Sequence, residues 1–371
     1  MIPYSLHLNY DFWTYPEIIT SLIPPQSTVP GSDELPTGFS QAGHIAHLNL
    51  RPKYLPFKHL IATILADKNP AITTVINKIA DVGKVSEFRT FAYEVLYGDD
   101  DMNVRLREQG CEFRFDFSKV YWNSRLHTEH EYLVSCFRPQ EAVCDVMAGI
   151  GPFAVPAGKK GVFVHANDLN PDGYYFLVDN ILANKVGDYV KASNEDGRDF
   201  IKTATMDLLE NDYEVEIPRK ISRTAMKEAK RLGQELQIPE PIIHTRPKIF
   251  SHYVMNLPAS AITFLPSFIG LYAEKPELLP LFRSGTYKYP LLHVYCFSTK
   301  SDDNVAEAED ICKRISEMLE FEIRPEDPEV EIRDVRDVAP RKRMFCATFR
   351  LPEEVAFRGA NSGVNGGDIQ G

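Results

Sequence analysis

The stretch EAVCDVMAGIGPF, residues 141–153, joins a short apolar run to a turn that contains two glycines. EAVCDV has the length and the valine content of a buried strand. AGIGPF then offers backbone without a Cβ, which a ligand can approach closely. A strand that runs into a glycine turn is typical of the start of an open α/β sheet that binds a ligand at its edge.

Strands continue downstream, and their order predicts the fold class. They lie in VFVHANDLNP (162–171), DYVKASNEDGRDF (188–200), SHYVMNLP (251–258) and LLHVYCFST (291–299). A helix is predicted over PDGYYFLVDNILANKVG, opened by Pro171 and ended by Gly187. Alternating strands and helices indicate a parallel, doubly wound sheet. VEIRDVRDVA (330–339) and MFCATFRLP (344–352) are predicted as an antiparallel pair at its edge.

The residues upstream predict a smaller α+β domain. KHLIATILADKNPAITTVINKI (58–79) is predicted as two helical pieces broken at Asn69-Pro70, and CEFRFDFSKVYW (111–122) alternates like a strand. The predicted division is an α+β domain over residues 1–120, an α/β domain over 121–352 with an insertion at about 203–246, and a disordered tail over 353–371. The insertion holds the basic stretch 218–232, for which contact with a nucleic acid is one interpretation.

Composition restricts the class of protein. Of the 371 residues 44% are hydrophobic, yet no apolar run approaches the length that crosses a bilayer, so we expect no membrane partner. The six cysteines show neither CxxC nor regular spacing, which indicates reduced thiols rather than a disulfide framework. The net charge of −11 argues against nucleic-acid binding through overall basicity. The N-terminal residues show no signal or transit pattern.

Polar residues and glycines follow each predicted parallel strand, at the sheet edge where ligands bind in such folds. They are Asp145, Gly149 and Gly151 after the first strand, Asp168, Leu169 and Asn170 after the second, Asp196 and Gly197 after the third, and Asn256 after the fourth. An acid after the second strand can accept hydrogen bonds from ribose hydroxyls, and an acid after the third from an adenine amino group. Each residue alone is equally well explained by turn formation. Together they predict one ligand site.

The glycine turn favours one class of ligand. The GxGxxG turn of dinucleotide folds cradles a pyrophosphate. AGIGPFAVPAG (148–158) instead places Pro152 where a helix N-terminus would bind phosphate, and proline lacks the amide donor. A ligand with ribose and adenine but without phosphates fits better. S-adenosylmethionine is such a ligand.

Asn256-Leu257-Pro258 ends the fourth parallel strand with a potential base-binding group. The asparagine side chain and a neighbouring carbonyl can hold the hydrogen-bonding edge of a nucleobase, while proline fixes the turn. A plain strand-to-loop turn is the alternative.

YWNSRLHTEHEYL (121–133) concentrates titratable side chains. Glu129 is either a general base or an ordinary acid in the first turn of a helix capped by Thr128. His127 and His130 stand three residues apart, but no third ligand follows at a recognised spacing. We therefore predict no metal site here.

Six stretches carry a resemblance to a known family. They are GHIAHLNLR (43–51), EFRTFAYEVLYG (87–98), DFSKVYWNSRLHTEHEYL (116–133), DVMAGIGPFAVPAGKK (145–160), NDLNP (167–171) and VMNLP (254–258). Together they resemble the archaeal and eukaryotic tRNA (guanine-37-N1)-methyltransferases, and fungal members above all. The resemblance covers roughly residues 4–352. We expect most of the family's N-terminal domain, which helps to grip the outer corner of tRNA, to be missing.

The resemblance implies a class I, Rossmann-like sheet that uses S-adenosylmethionine to methylate N1 of guanosine 37 in tRNA. N1 carries a proton at neutral pH, so a base must remove it while O6 is stabilised. By resemblance Glu129 is this base, Arg89 contacts O6, and Asn256 positions the guanine. His130 joins the strand-end residues around the cofactor. The residues assigned to tRNA are Arg125, which either orients Glu129 or contacts the tRNA, Tyr121 and Lys119.

Two alternative functions stay open. One is the related transferase that moves the aminocarboxypropyl group of the same cofactor onto a tricyclic tRNA base in wyosine synthesis, and the other is a non-catalytic tRNA-binding protein. EFRTFAYEVLYG (87–98) and NLPAS (256–260) favour the methyltransferase. The resemblance also implies a cytoplasmic or nuclear location with a possible mitochondrial pool, and we expect a monomer.

Overall fold

The computed structural model describes residues 5, 7–23, 35–79, 90, 92–219, 221–222, 231–232 and 239–360. The chain forms two compact units, residues 1–131 with 170–183 and residues 132–169 with 184–371. This division differs from the predicted boundary at residue 120, and it assigns 170–183 to the first unit. One reason is Asn180, which is fully buried and accepts the Arg114 backbone N–H at 2.8 Å.

The strands of the described residues are, in chain order, β1 (Ser40–Ala42), β2 (Ile45–Leu48), β3 (Thr74–Lys78), β4 (Tyr93–Tyr97), β5 (Asn103–Glu108), β6 (Cys111–Asp116), β7 (Ala142–Asp145), β8 (Phe163–Asn167), β9 (Val190–Ser193), β10 (Glu214–Ile217), β11 (Ile242–Thr245), β12 (His252–Met255), β13 (Leu291–Ser298), β14 (Glu331–Ala339) and β15 (Lys342–Arg350). The α-helices are α1 (Tyr15–Leu22), α2 (Lys58–Lys68), α3 (His127–Cys136), α4 (Ala154–Lys159), α5 (Pro171–Asn184), α6 (Gly197–Glu210), α7 (Leu279–Arg283), α8 (Val305–Leu319) and α9 (Glu353–Ala356). Short 3₁₀ helices cover Tyr10–Phe12, Pro52–Phe57, Ser124–Leu126, Ala261–Phe268 and Pro276–Leu278.

The second unit is built on a seven-stranded sheet in the order β14-β15-β13-β12-β7-β8-β9. From β13 to β9 all neighbouring strands are parallel, whereas β15 and β14 run antiparallel at one edge. β7, β8 and β12 are buried along their whole length, as expected where helices cover both faces of a parallel sheet. The predicted α/β sheet with an antiparallel edge pair is confirmed.

The first unit contains a mixed sheet in the order β1-β2-β3-β4 and the separate hairpin β5-β6. The prediction of a second helical piece after Asn69-Pro70 is wrong, because residues 74–78 form β3. Thr74, Val75 and Ile76 are β-branched and buried between β2 and β4, where such side chains pack well. The predicted strand over 111–122 is confirmed for Cys111–Asp116.

Helix α5 ends earlier than predicted. Its last residue is Asn184, and Lys185 takes a left-handed conformation with φ 57°. A residue in this conformation stops the helical hydrogen-bond pattern, so the helix does not reach Gly187.

The predicted insertion and tail are partly folded. α6 occupies the start of the 203–246 segment, and β10 and β11 pair antiparallel further along it. Most of the basic stretch 218–232 lies outside the described residues. The disordered tail predicted over 353–371 is wrong for residues 353–360, since Val355 and Ala356 are fully buried and their carbonyls accept backbone N–H groups of Gly270 and Tyr272. Residues 361–371 lie outside the described part.

Among the described residues, no helix combines the length and apolarity that a membrane span requires.

Candidate active site

The strand ends of the second unit form one edge of the seven-stranded sheet. The Gly149 N–H donates to Asp168 Oδ2 over 2.7 Å, which joins the turn after β7 to the end of β8. Because β9, β8, β7 and β12 are parallel neighbours, the residues that follow them lie along the same edge. We call this the carboxyl edge, and its members are Asp145, Gly149, Gly151, Asp168, Leu169, Asp196, Gly197 and Asn256.

Asn167, which sequence reasoning missed, ties three strand ends together. Its amide donates to the carbonyls of Val146 at 3.1 Å and Glu195 at 3.0 Å. Its Oδ1 accepts the Glu195 N–H at 2.8 Å, and the side chain is 1% exposed. One buried asparagine therefore holds the loops after β7 and β9 to the end of β8. The signal in the sequence is a polar residue that ends the apolar run VFVHA.

The glycine turn leaves its backbone open. Gly149 and Gly151 have φ angles of 55° and 94°, a region that favours glycine. A Cβ on Gly149 would meet no atom of another residue within 4 Å, so the turn faces open space. α4 begins only at Ala154 and is six residues long. The turn thus leaves room for a ligand beside its backbone, in which the Gly149 N–H is already donated to Asp168.

Asp145 is an unsatisfied carboxyl group within this edge. It is fully buried, and neither carboxylate oxygen has a hydrogen-bond partner in the part of the chain that the structure describes. Burial and the nearby Asp168 carboxylate raise the pKa of Asp145 well above its usual value. A buried carboxyl group without donors is costly. It is therefore suited to a ligand that supplies hydrogen-bond donors or positive charge.

Asp196 and Gly197 have different structural tasks at the start of α6. Asp196 caps the helix by accepting the Arg198 backbone N–H at 2.8 Å, and its side chain is 43% exposed. A Cβ on Gly197 would lie 2.9 Å from Val146 Cγ1 and 3.0 Å from Phe264 Cε1. Glycine is thus required there for packing, whereas the Asp196 carboxylate can still reach a ligand.

Asn256 and Leu169 complete the edge. Asn256 follows the buried strand β12, is partly exposed, and its side chain has no hydrogen-bond partner among the described residues. Leu169 is 50% exposed. Both side chains are therefore accessible.

Asn170 does not share this accessibility. Its Nδ2 donates to the Lys119 carbonyl at 2.9 Å, and its Oδ1 accepts the Asp172 N–H at 3.1 Å. The side chain is 7% exposed and belongs to the first unit. The side chain of Asn170 thus caps α5, and its predicted contact with the cofactor stays a prediction.

In the first unit, Glu129 lies in the first turn of α3 and is 6% exposed. The helix begins at His127, so Thr128 lies inside it and is not its cap. Asn123 caps the preceding 3₁₀ turn by accepting the Arg125 N–H at 3.2 Å. An ordinary first-turn acid is solvated, whereas Glu129 is buried, which is unusual for a carboxylate.

The two histidines of α3 make separate contacts. His130 Nδ1 lies 2.6 Å from Glu108 Oε1, and the imidazole is 3% exposed. The His127 nitrogens lie 3.2 Å from Ser124 O and 3.1 Å from Thr128 Oγ1. Over the described ranges, no group of three or more His, Cys, Asp or Glu side chains is placed to hold a metal ion. The predicted cofactor contact of His130 stays a prediction.

The residues assigned to tRNA lie on the same segment. Arg125 is exposed, and Lys119 Nζ is half-exposed, 3.5 Å from Asp172 Oδ1. Tyr121 OH accepts a hydrogen bond from Asn123 Nδ2 at 3.3 Å. Arg89 lies outside the described residues, so its contact with O6 stays a prediction.

Comparison with known proteins shows which family this chain is similar to. Residues 104–227 match the family model of the TRM5/TYW2 methyltransferase domain, and residues 24–101 match that of the TYW2 N-terminal domain. The tRNA (guanine(37)-N(1))-methyltransferase of Phaeosphaeria nodorum is 54% identical over 96% of this chain and 77% of its own length. The protein of the same name from Schizosaccharomyces pombe is 46% identical over 98% of this chain and 78% of its own length.

The solved structures agree on the fold. The complex of aTrm5 and tRNALeu has a TM-score of 0.58 and 19% identity, covering 93% of this chain and 80% of that chain. At this identity the likeness shows the fold alone, and the fold is that of the predicted Rossmann-like methyltransferase. The sequence identity to the two fungal proteins shows a closer relationship than the likeness in fold does. The resemblance predicted from the six motifs is confirmed: the chain belongs to the family of tRNA (guanine(37)-N(1))-methyltransferases.

Proposed function

We propose that this protein transfers a methyl group from S-adenosylmethionine to N1 of guanosine 37 in tRNA. The observation that carries the proposal is identity of 54% to a protein of that name over 96% of this chain. The carboxyl edge of the sheet, with its glycine turn and its acids, supplies the matching chemistry.

The residues of the carboxyl edge fit S-adenosylmethionine. Asp145 offers a buried carboxyl group that has no donor among the described residues, and there is open space beside the backbone at Gly149. We propose that the Asp168 carboxylate, which accepts the Gly149 N–H, also accepts hydrogen bonds from the ribose hydroxyls. The Asp196 carboxylate is proposed to accept one from the adenine amino group. When bound, S-adenosylmethionine supplies a methyl group on a sulfonium sulfur, and this sulfur leaves readily as a neutral thioether.

Glu129 is the residue that we propose removes the N1 proton. Methylation at N1 needs the lone pair that this proton occupies, and a positioned carboxylate can accept it. Burial of Glu129 keeps water from competing for the same hydrogen bonds. We assign to Arg89 the stabilisation of the negative charge that develops on O6. The accessible side-chain amide of Asn256 is assigned to hydrogen-bond the edge of the guanine.

tRNA recognition is assigned to Arg125, Lys119 and Tyr121. Two of them are cationic and exposed or half-exposed, as suits contact with phosphate. A tRNA is the partner in the solved aTrm5 complex, which supports a nucleic-acid substrate for this fold. The compartment and the monomeric state stay predictions from the family resemblance.

A product assay tests the proposal. The protein is incubated with unmodified tRNA that carries guanosine 37 and with S-adenosylmethionine labelled in both its methyl and its aminocarboxypropyl group, and the tRNA is then digested. We expect N1-methylguanosine. In a parallel incubation with tRNA that carries the tricyclic base, an aminocarboxypropyl adduct would instead support the wyosine transferase, which the TYW2 part of the matched family description keeps as the second candidate. Absence of any labelled nucleoside would favour a binding protein.

A further inference from the structure

A row of polar side chains crosses one face of the seven-stranded sheet near the amino-terminal ends of its parallel strands. His252 is the first residue of β12 and pairs with Leu291, two residues before His293 in β13. His293 pairs with Thr348 in β15, which pairs with Glu331 in β14. Central strands of such sheets are normally apolar on both faces. A polar row in these strands departs from that apolar pattern, and such departures often mark functional sites.

The row is linked by a chain of contacts. Glu141 Oε2 lies 3.4 Å from His252 Nε2, and His252 Nδ1 lies 2.9 Å from His293 Nε2. His293 Nδ1 lies 2.9 Å from Thr348 Oγ1. The imidazoles are stacked, with ring centroids 5.2 Å apart, and are 7% and 4% exposed. Every ring nitrogen has a partner, so the imidazoles form a fixed polar floor and are not placed to ligate a metal.

This floor belongs to a cavity of about 590 Å³ within the second unit. The volume lies in the range of small-molecule sites. The strands begin at this cavity and end at the carboxyl edge, so the two sites lie at opposite ends of the same strands. We call it the amino-edge cavity.

The wall of the cavity carries charged side chains. Arg138 and Lys288 line it, and both are exposed. Neither forms a close ion pair among the described residues, although Arg138 interacts electrostatically with the Glu141 carboxylate and Lys288 with that of Glu329. Arg350, by contrast, is held by the Glu329 carboxylate. Glu331 also lines the cavity, and its carboxylate has no partner within the described ranges. The cavity therefore offers two exposed cations for an anion and the Glu331 carboxylate for hydrogen-bond donors, while its second carboxylate, Glu141, contacts His252.

Aromatic side chains supply the rest of the wall. Tyr132 is 40% exposed, and the Arg333 guanidinium carbon lies 4.0 Å from its ring centroid. Tyr287, next to Lys288, is partly exposed and lines the same cavity. A flat, amphipathic ring stacks well on such side chains, and base–aromatic stacking is a common source of affinity for nucleotides.

We propose that the amino-edge cavity binds a nucleotide. Its phosphate contacts Arg138 and Lys288, its base lies against the tyrosine rings, and donors on the base meet Glu331. The polar floor gives the cavity a fixed shape. Free nucleotides and nucleotides within RNA present the same groups, and the experiment separates these two sources. The inference does not depend on the reaction at the carboxyl edge.

Binding of GMP to the full chain tests the proposal by calorimetry. The titration is done in saturating S-adenosylhomocysteine, whose own binding is measured first so that the cofactor part of the carboxyl edge is known to be filled; GMP bound at the guanine part of that edge would be unaffected by substitutions in the amino-edge cavity. The test variant is Arg138→Gln with Lys288→Gln, two exposed positions at which folding should be preserved. The control is Lys313→Gln, an exposed lysine on α8 outside the cavity. We expect the double variant to weaken GMP binding by about tenfold or more, as for the loss of charge-assisted hydrogen bonds. We expect the control to bind as the wild type does.

A second titration with unmodified tRNA identifies the source of the nucleotide. If the double variant loses affinity for both GMP and tRNA, the cavity takes a nucleotide of the RNA. If it loses affinity for GMP alone, the cavity takes a free nucleotide. Failure of the wild type to bind GMP, wild-type GMP affinity in the double variant, or an equal loss in the Lys313 variant would overturn the proposal.

Discussion

The carboxyl edge and the start of α3 each hold a buried carboxyl group, in two very different environments. Asp145, in the second unit, has no donor for either oxygen among the described residues, and burial raises its pKa well above the usual value. Glu129, in the first unit, lies in the first turn of a helix, where the dipole favours a negative charge. The two carboxyl groups are accordingly assigned different roles in the proposed reaction, ligand binding for Asp145 and removal of the N1 proton for Glu129. Substitutions in the two regions should therefore affect different measured quantities.

The largest effect is expected at Glu129. Glu129→Ala should slow methyl transfer by about two to four orders of magnitude, as for the loss of a general base, with cofactor affinity nearly unchanged. Single-turnover kinetics measures the rate and calorimetry the affinity. The matched control is Glu131→Ala, an exposed acid on the same helix, which should keep the wild-type rate. A wild-type rate in Glu129→Ala would remove this residue from the base role.

A smaller effect, on affinity, is expected at Asp168. Asp168→Ala removes charge-assisted hydrogen bonds, so the Kd for S-adenosylmethionine should rise by roughly ten- to a hundredfold. The rate at saturating cofactor should fall much less. Asp188→Ala, at an exposed aspartate just before β9, serves as the control. Calorimetry measures the affinity. Wild-type affinity in the Asp168 variant would contradict the proposed contact between Asp168 and the ribose, and substitutions in the two regions would then no longer separate affinity from rate.

The smallest effect is a pH dependence of stability at Asp145. Because its pKa is raised in the folded protein, the native state keeps a proton that the unfolded chain releases above about pH 4. The free energy of unfolding of the wild type should therefore fall as pH rises through this window, and Asp145→Asn should not show this loss. The stability difference between the two proteins should change in favour of the variant as pH rises, by up to about 1.4 kcal/mol per pH unit.

Urea denaturation of both proteins without cofactor, at about pH 5 and about pH 6, measures this difference, since the window opens above the unfolded pKa of about 4. The same stability difference at both pH values would mean that Asp145 ionises normally in the folded protein, and its environment would then resemble that of an ordinary acid.

Sequence patterns predicted those elements whose signal is local. The strands of the large sheet are apolar runs bounded by turn residues, and all seven were predicted to within a few residues. β3 was predicted as helix, because a short run of β-branched and small residues has no decisive periodicity of its own. Its pairing with β2 and β4 decides the strand. Local patterns also missed the end of α5, where Lys185 rather than a glycine takes the left-handed conformation.

For the site, sequence patterns show which acids and glycines follow each strand, and the family motifs assign their roles. The contacts of each side chain, and thus its freedom to meet a ligand, follow from the folded structure. Asn170 hydrogen-bonds a backbone carbonyl and caps a helix, and Asn167 joins the loops after β7 and β9 to the end of β8. The row from His252 to Thr348 joins residues far apart in sequence. Strand register brings such residues together, and register is set by packing across the whole sheet rather than by any local stretch.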